Sequence, residues 1–203
     1  MKTTLRIVSL LSLILFVLAG TYSPAFAQAQ AVKASPPILL TACGQGPEIS
    51  MLKVMIQKAK IPYDLIDLAT AQDIAKKKSG GTPYKTLIIL MGASLKGMGA
   101  AGISIDDEIK RTTELIDAAK REKITVVGAH VGGMKRRAQG AEAGDNTDEL
   151  SIDAVAPKSD ILLINKEGNS DSRFTVIAKQ KKIPLIEIEK NLDLAKEIEA
   201  LFK

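Results

Sequence analysis

Apolar residues in this chain fall into short unbroken runs separated by amphipathic stretches. The runs at Ile38–Ala42, Tyr63–Leu68, Thr86–Met91, Thr125–Ala129, Asp160–Ile164 and Leu185–Ile188 predict six strands. Leu87-Ile88-Ile89-Leu90-Met91 and Ile161-Leu162-Leu163-Ile164 show no polar alternation, which is the pattern of strands covered on both faces. Ile105, Ile109, Thr112, Ile116 and Ala119 form one stripe of a helix. Ser104 with Asp107 gives that helix a capping start, and Asp106 and Glu108 suit the positive end of its dipole. Leu194, Ile198 and Leu201 mark a C-terminal helix. Further helices are predicted near 48–60, 147–156 and 171–181, and a weaker one near 71–78. Lys-Ile-Pro stands at 60–62 and again at 182–184, each time between a helix and a strand.

Strands alternating with helices predict an α/β fold, doubly wound, with a mostly parallel sheet of five to six strands and helices on both faces: a Rossmann-like three-layer sandwich. Right-handed crossovers place all the βα loops along one edge of the sheet, where a site is expected. One α/β domain is expected over 37–203, preceded by a small polar leader at 28–36.

The first 27 residues have a different pattern. Lys2 and Arg6 give a basic start, Leu13–Ala19 is continuously apolar, and Ala25-Phe26-Ala27 places small residues for signal peptidase. Residues 1–27 are therefore expected to be a signal peptide, and the domain to work in the periplasm or outside the cell. The apolar run is shorter than the roughly 20 residues that a membrane span needs, so no stable anchor is expected after cleavage. Loss of Lys2 and Arg6 lowers the formal net charge from +5 to +3. That is too mild for a dedicated nucleic-acid binder. The aromatic content is 3% with no Trp, which argues against stacking platforms for a polysaccharide. Cys43 is the one cysteine, so no intramolecular disulfide is possible. Leu40-Thr41-Ala42-Cys43 also looks like a lipoprotein box, but it does not follow the apolar run directly, and Ile38-Leu39-Leu40 is expected to be a buried strand.

Four loops carry candidate chemistry. Cys43-Gly44-Gln45-Gly46-Pro47-Glu48 offers a tight turn before a helix, with Gln45 and a thiol beside it. A helix N-terminus lowers a thiol pKa, but the arginine of a phosphatase loop is missing, with Ile49 in its place. Gly97-Met98-Gly99-Ala100-Ala101-Gly102 matches the dinucleotide fingerprint by letter. It follows the third strand at a distance, however, and no acid ends the next strand, so no nicotinamide cofactor is expected. As a glycine-rich loop it offers Ser94 and Lys96 to a small anion.

His130-Val131-Gly132-Gly133-Met134-Lys135-Arg136-Arg137 puts the one histidine and three cations at a strand end. Arg136 and Arg137 suit a carboxylate or phosphate. Glu142, Asp145, Asp148 and Glu149 are expected in a solvated loop and helix cap, and no metal site is expected. In the fourth loop, Asn169, Asp171 or Ser170 suits a helix cap, Asn169 and Ser172 suit a polar pocket, and Glu167 is a candidate base. No Gly-x-Ser-x-Gly elbow is present.

Together Gly92–Ser104 (GASLKGMGAAGIS), His130–Arg137 (HVGGMKRR), Ala156–Asp160 (APKSD) and Glu167–Thr175 (EGNSDSRFT) resemble an uncharacterised family of exported bacterial proteins, domain of unknown function 6305. The resemblance runs from Pro37 to about Phe202. It implies an exported α/β domain and brings no substrate, cofactor or catalytic residue.

The glycines, cations and polar side chains on one edge point to noncatalytic binding of a small polar or anionic metabolite by Gln45, Ser94, Lys96, His130, Arg136, Arg137, Asn169 and Ser172. Two alternatives stand beside it. One is a small extracytoplasmic hydrolase or transferase using His130, Glu167 or Cys43. The other is a structural or interaction module.

Overall fold

The computed structural model describes residues 33–138 and 145–203. The expected signal peptide over 1–27, the leader up to residue 32 and Glu142 lie outside the described residues. Six strands form one sheet: β1 (Ile38–Cys43), β2 (Tyr63–Leu65), β3 (Thr86–Met91), β4 (Thr125–His130), β5 (Ile161–Asn165) and β6 (Leu185–Ile188). Their order is β2-β1-β3-β4-β5-β6, and every neighbouring pair is parallel. Parallel neighbours need a crossover, and the helices supply it. They are α1 (Ile49–Lys58), α2 (Ala71–Ser79), α3 (Leu95–Ala101), α4 (Ile105–Arg121), α5 (Thr147–Val155), α6 (Arg173–Lys181) and α7 (Leu194–Leu201).

Side-chain alternation divides the strand residues between two cores. Leu40, Ile88, Leu90, Val127, Ala129 and Leu163 face α1 (Leu52, Ile56) and α7 (Ile198, Leu201). Leu39, Leu87, Ile89, Val126, Leu162 and Ile164 face α2 (Ile74), α4 (Leu115, Ile116), α5 (Ile152) and α6 (Phe174). Each such Leu or Ile contributes about 1.5–3 kcal/mol by leaving water. The unbroken apolar runs are thus explained, because both faces of β1, β3 and β5 are buried. The packed region starts slightly before Pro37. Ala34 is buried, and Ser35 exchanges hydrogen bonds with the Thr86 hydroxyl.

One element departs from expectation. The glycine-rich stretch after β3 is not an open loop but the helix α3. Ser94 Oγ accepts the Gly97 N–H at 3.1 Å, and the helix ends at Gly102, whose φ is 66°. Gly97 has no side chain because the Gln45 carbonyl packs against its α-carbon. Met98 supplies the buried face.

Candidate functional site

In a sheet of this order, a ligand is expected in the crevice where the loops after β1 and β3 part. Here the chain fills that crevice with its own groups. The Ser94 N–H donates to the Gly44 carbonyl at 2.7 Å, and Gln45 and Ala93 form an isolated antiparallel bridge across the gap. From α5, Asp148 Oδ1 accepts the Ala93 N–H at 2.6 Å. Ser151 Oγ accepts the Gly92 N–H at 2.8 Å and donates to the Cys43 carbonyl at 2.9 Å. Arg136 donates from Nε to Glu48 at 2.7 Å and from a terminal nitrogen to the Ala93 carbonyl at 3.1 Å. A side chain on Gly132 would meet the Arg136 stem at once, so the glycine lets the arginine lie flat against the loop. From α4, buried Glu108 pairs with Arg111 and accepts from Gln45 Nε2 at 2.5 Å. Arg111 in turn donates to the Ala42 carbonyl at 2.5 Å and the Ala69 carbonyl at 2.7 Å.

A second knot lies beside it. Arg137 is only 1% exposed, although it ends a Lys-Arg-Arg run. Its guanidinium holds Glu149 at 2.7 Å, Asp171 at 2.6 Å and the Gly168 carbonyl at 2.5 Å, and it sits over the Phe174 ring. Burial would raise the Glu149 carboxyl, but hydrogen bonds from Arg137 and the Ala138 N–H outweigh it and hold the group below the ordinary range. The hydrogen bond from Arg137 likewise holds Asp171 low. Asp148 moves the other way, pushed up by burial against the Ala93 N–H. Asp148 is buried and Glu149 is half-buried in an ion pair, which corrects their expected place in a solvated cap.

His130 is fully buried. Its Nε2 lies 2.9 Å from the Arg136 carbonyl, and a carbonyl can only accept, so Nε2 carries the proton. Nδ1 has no partner among the described residues. A side-chain carbon on Gly168 would lie 2.7 Å from it. Burial pushes the imidazole pKa down, so the ring is neutral. Cys43 is buried, and burial pushes its thiol up to about 11, despite a hydrogen bond from Thr112. The thiol is thus a small packing group at the end of β1, and burial outweighs any lowering by the neighbouring helix N-terminus. β3 stands between β1 and β4, so Cys43 and His130 are about two strand spacings apart, roughly 10 Å.

The expected site residues thus separate into three groups. Gln45 and Ser94 meet at the crevice, where Gln45 bonds Glu108 and Ser94 caps α3. His130, Arg137 and Asn169 cluster around the second knot, with Asn169 Oδ1 accepting the Phe174 N–H at 2.9 Å as the cap of α6, and Arg136 bridges the two groups, its guanidinium in the crevice and its carbonyl on His130 Nε2. Lys96 and Ser172 are exposed and join neither group. Arg136 and Arg137 do meet carboxylates, as their sequence context suggested, but the carboxylates belong to the chain. Ser151, Glu108 and Arg111 were missed. They lie within helices whose amphipathic spacing gives no sign that polar members reach a strand end.

A wide concavity lies elsewhere. A groove of about 750 Å3 runs along β2, between Lys53 of α1 on one face and Lys76 and Lys77 of α2 on the other. Its acids are engaged internally. Asp64 accepts from Lys77 Nζ at 2.7 Å and the Tyr84 hydroxyl at 2.6 Å, and Asp73 accepts the Thr70 N–H and hydroxyl at the start of α2. The hydrogen bond from Lys77, then that from Tyr84, holds Asp64 below the ordinary range. Lys53 and Lys76 have no ion-pair partner among the described residues.

This six-stranded parallel α/β architecture defines a doubly wound, Rossmann-like protein. The chain belongs to the family described as domain of unknown function (DUF6305), which matches residues 35–202. No curated protein matches it. Solved structures show likeness of fold alone. A GDP-L-fucose synthetase from Naegleria fowleri bound to NADP is 9% identical with a TM-score of 0.37. The match covers 77% of this chain, which spans only 51% of the synthetase. A diflavin flavoprotein A3 from Nostoc sp. is 13% identical with a TM-score of 0.36, covering 84% of this chain and 89% of its own. A GDSL-like lipase from Bacteroides thetaiotaomicron is 14% identical with a TM-score of 0.35, covering 86% and 89%.

Proposed function

We propose that this protein is a noncatalytic binding domain for an anionic ligand, acting outside the cytoplasm after removal of residues 1–27. The observation that carries the reading is a contrast between two sets of cations. Arg111, Arg136 and Arg137 at the loop edge each hold a carboxylate of the chain itself. Lys53 and Lys76 hold none among the described residues, and they flank the β2 groove. The ligand position therefore moves from the loop edge to the β2 edge. Catalysis is disfavoured by the same geometry, since the thiol is protonated and buried, and the imidazole is bonded to a main-chain carbonyl a strand-pair away.

The test is thermal unfolding of the exported protein with citrate, phosphate and hexaglutamate, beside the variant Lys53→Glu/Lys76→Glu. A ligand at a hundred times its Kd stabilises by about 2.7 kcal/mol, which raises Tm by roughly 5–10 °C in a domain of this size. The wild type is expected to gain stability with concentration of at least one of these anions, and the variant to gain none. No shift with any of the three, or an equal shift in the variant, overturns the reading.

A further inference from the structure

β2 is the outermost strand on its side of the sheet, and only β1 pairs with it. Ile38 N–H donates to the Pro62 carbonyl, and Ile66 N–H to the Leu40 carbonyl. In a parallel ladder the residues facing a neighbour alternate, so Pro62, Asp64 and Ile66 bond inward. The N–H and C=O groups of Tyr63 and Leu65 then point away from β1, into the groove between α1 and α2. An apolar shelf of about 530 Å3 continues the groove, formed by Pro36, Pro37, Pro62 and Pro83. It shares Lys77 and Thr82 with the groove, so the two are one surface.

We propose that this surface takes an extended acidic segment of a partner protein, added beside β2 as a seventh strand. The main chain of the segment pairs with Tyr63 and Leu65, its carboxylates meet Lys53 and Lys76, and an apolar end lies on the proline shelf. This rests on the anion-binding reading above and names its ligand class. Charge selects the occupant. A second copy paired edge to edge would bring Lys53 and Lys76 of both chains into the same interface, and edge lysines oppose such pairing. An acidic strand satisfies both the lysines and the outward main chain. A small anion would satisfy the lysines alone.

The probe is a blocked, fluorescein-labelled heptapeptide, Val-Glu-Glu-Val-Glu-Glu-Val, whose adjacent glutamates present carboxylates to both faces of the strand. It is compared with its valine–lysine counterpart and with two versions N-methylated on alternate residues, one for each edge of the strand. Binding is read by anisotropy, and hydrogen exchange follows the Tyr63 and Leu65 amides. The acidic peptide is expected to bind at least about tenfold more tightly than the lysine peptide. Lys53→Glu/Lys76→Glu is expected to reverse that preference. One N-methylated version should lose about tenfold or more, and the two amides should exchange about tenfold more slowly in the complex. The variant Leu65→Pro removes one outward N–H without touching the β1 ladder, and should weaken the acidic peptide while leaving circular dichroism unchanged. Equal binding of both N-methylated peptides, or indifference to the lysines, overturns the proposal. If citrate or phosphate binds and the acidic peptide does not, the seventh strand is lost and anion binding stands. If neither the peptide nor any anion binds, both readings fall. A concentration-dependent dimer that protects the two amides assigns the edge to a second copy and also overturns the proposal.

Discussion

Replacing Arg137 with alanine removes a cation that is 1% exposed from between two carboxylates and a carbonyl. Breaking a buried ion pair costs about 3–5 kcal/mol, chiefly because a charge is left without its partner. Glu149 retains the Ala138 N–H and Arg173, and Asp171 is 28% exposed, so the lower end applies, about 3 kcal/mol. In a domain of this size each kcal/mol moves Tm by about 2–4 °C, so Arg137→Ala is expected to melt about 6–12 °C lower at pH 7.5. Circular dichroism on heating, repeated in urea, measures this. Lys135→Ala, next to it but exposed, should stay within about 0.5 kcal/mol of wild type. Glu149 and Asp171 lie below the ordinary carboxylate range in the folded protein, so their contribution is present above about pH 4 and lost as pH falls. The gap between wild type and variant should therefore narrow on acidification from about pH 5 to 3. A change in Tm under about 2 °C at pH 7.5 would refute the reading of Arg137 as the tie between the 133–138 and 167–171 loops, and would return it to the list of ligand-binding candidates.

Two further predictions follow from the same edge. With its pKa at about 11 rather than 9.0, Cys43 holds about a hundredth of the thiolate of an ordinary cysteine at pH 8, so a disulfide reagent should label it only after unfolding. Fast labelling of the native protein would contradict its burial, and the stability tied to this thiol should be present below about pH 9 and fade between there and about pH 11. Gly168→Ala places a carbon 2.7 Å from His130 Nδ1 and 2.8 Å from its Cε1, at an expected cost of about 1–3 kcal/mol. Urea unfolding checks it, and an unchanged midpoint would mean that the ring does not sit where this packing requires.

β1, β3 and β5 were legible because burial on both faces leaves a one-dimensional trace. Leu87–Met91 is apolar at every position, and no amphipathic helix reads that way. α4 was legible from its stripe and its Ser104–Asp107 cap. α3 was hidden because Gly97 and Gly99 argue against a helix locally, while the reason for one, close packing on Gln45 with Met98 beneath, is tertiary. The loop edge was legible in location but not in occupancy. Nothing near Arg136 or Arg137 in the chain announces Glu48 or Asp171, which lie 88 and 34 positions away. The β2 groove left no local signal either. Being at the edge depends on the order of strands, and the residues of an edge strand resemble those of any other short strand.

Glu48 and Arg136 occupy the crevice in which proteins with this strand order are expected to seat a ligand. Either one alone would leave a half-buried charge unmatched, so a change at one position is felt at the other despite their separation along the chain. A lineage that lost only the carboxylate would keep a guanidinium aimed into an emptied crevice. The distance between a fold that fills its own crevice and one that recruits an outside anion is, at this place, one side chain.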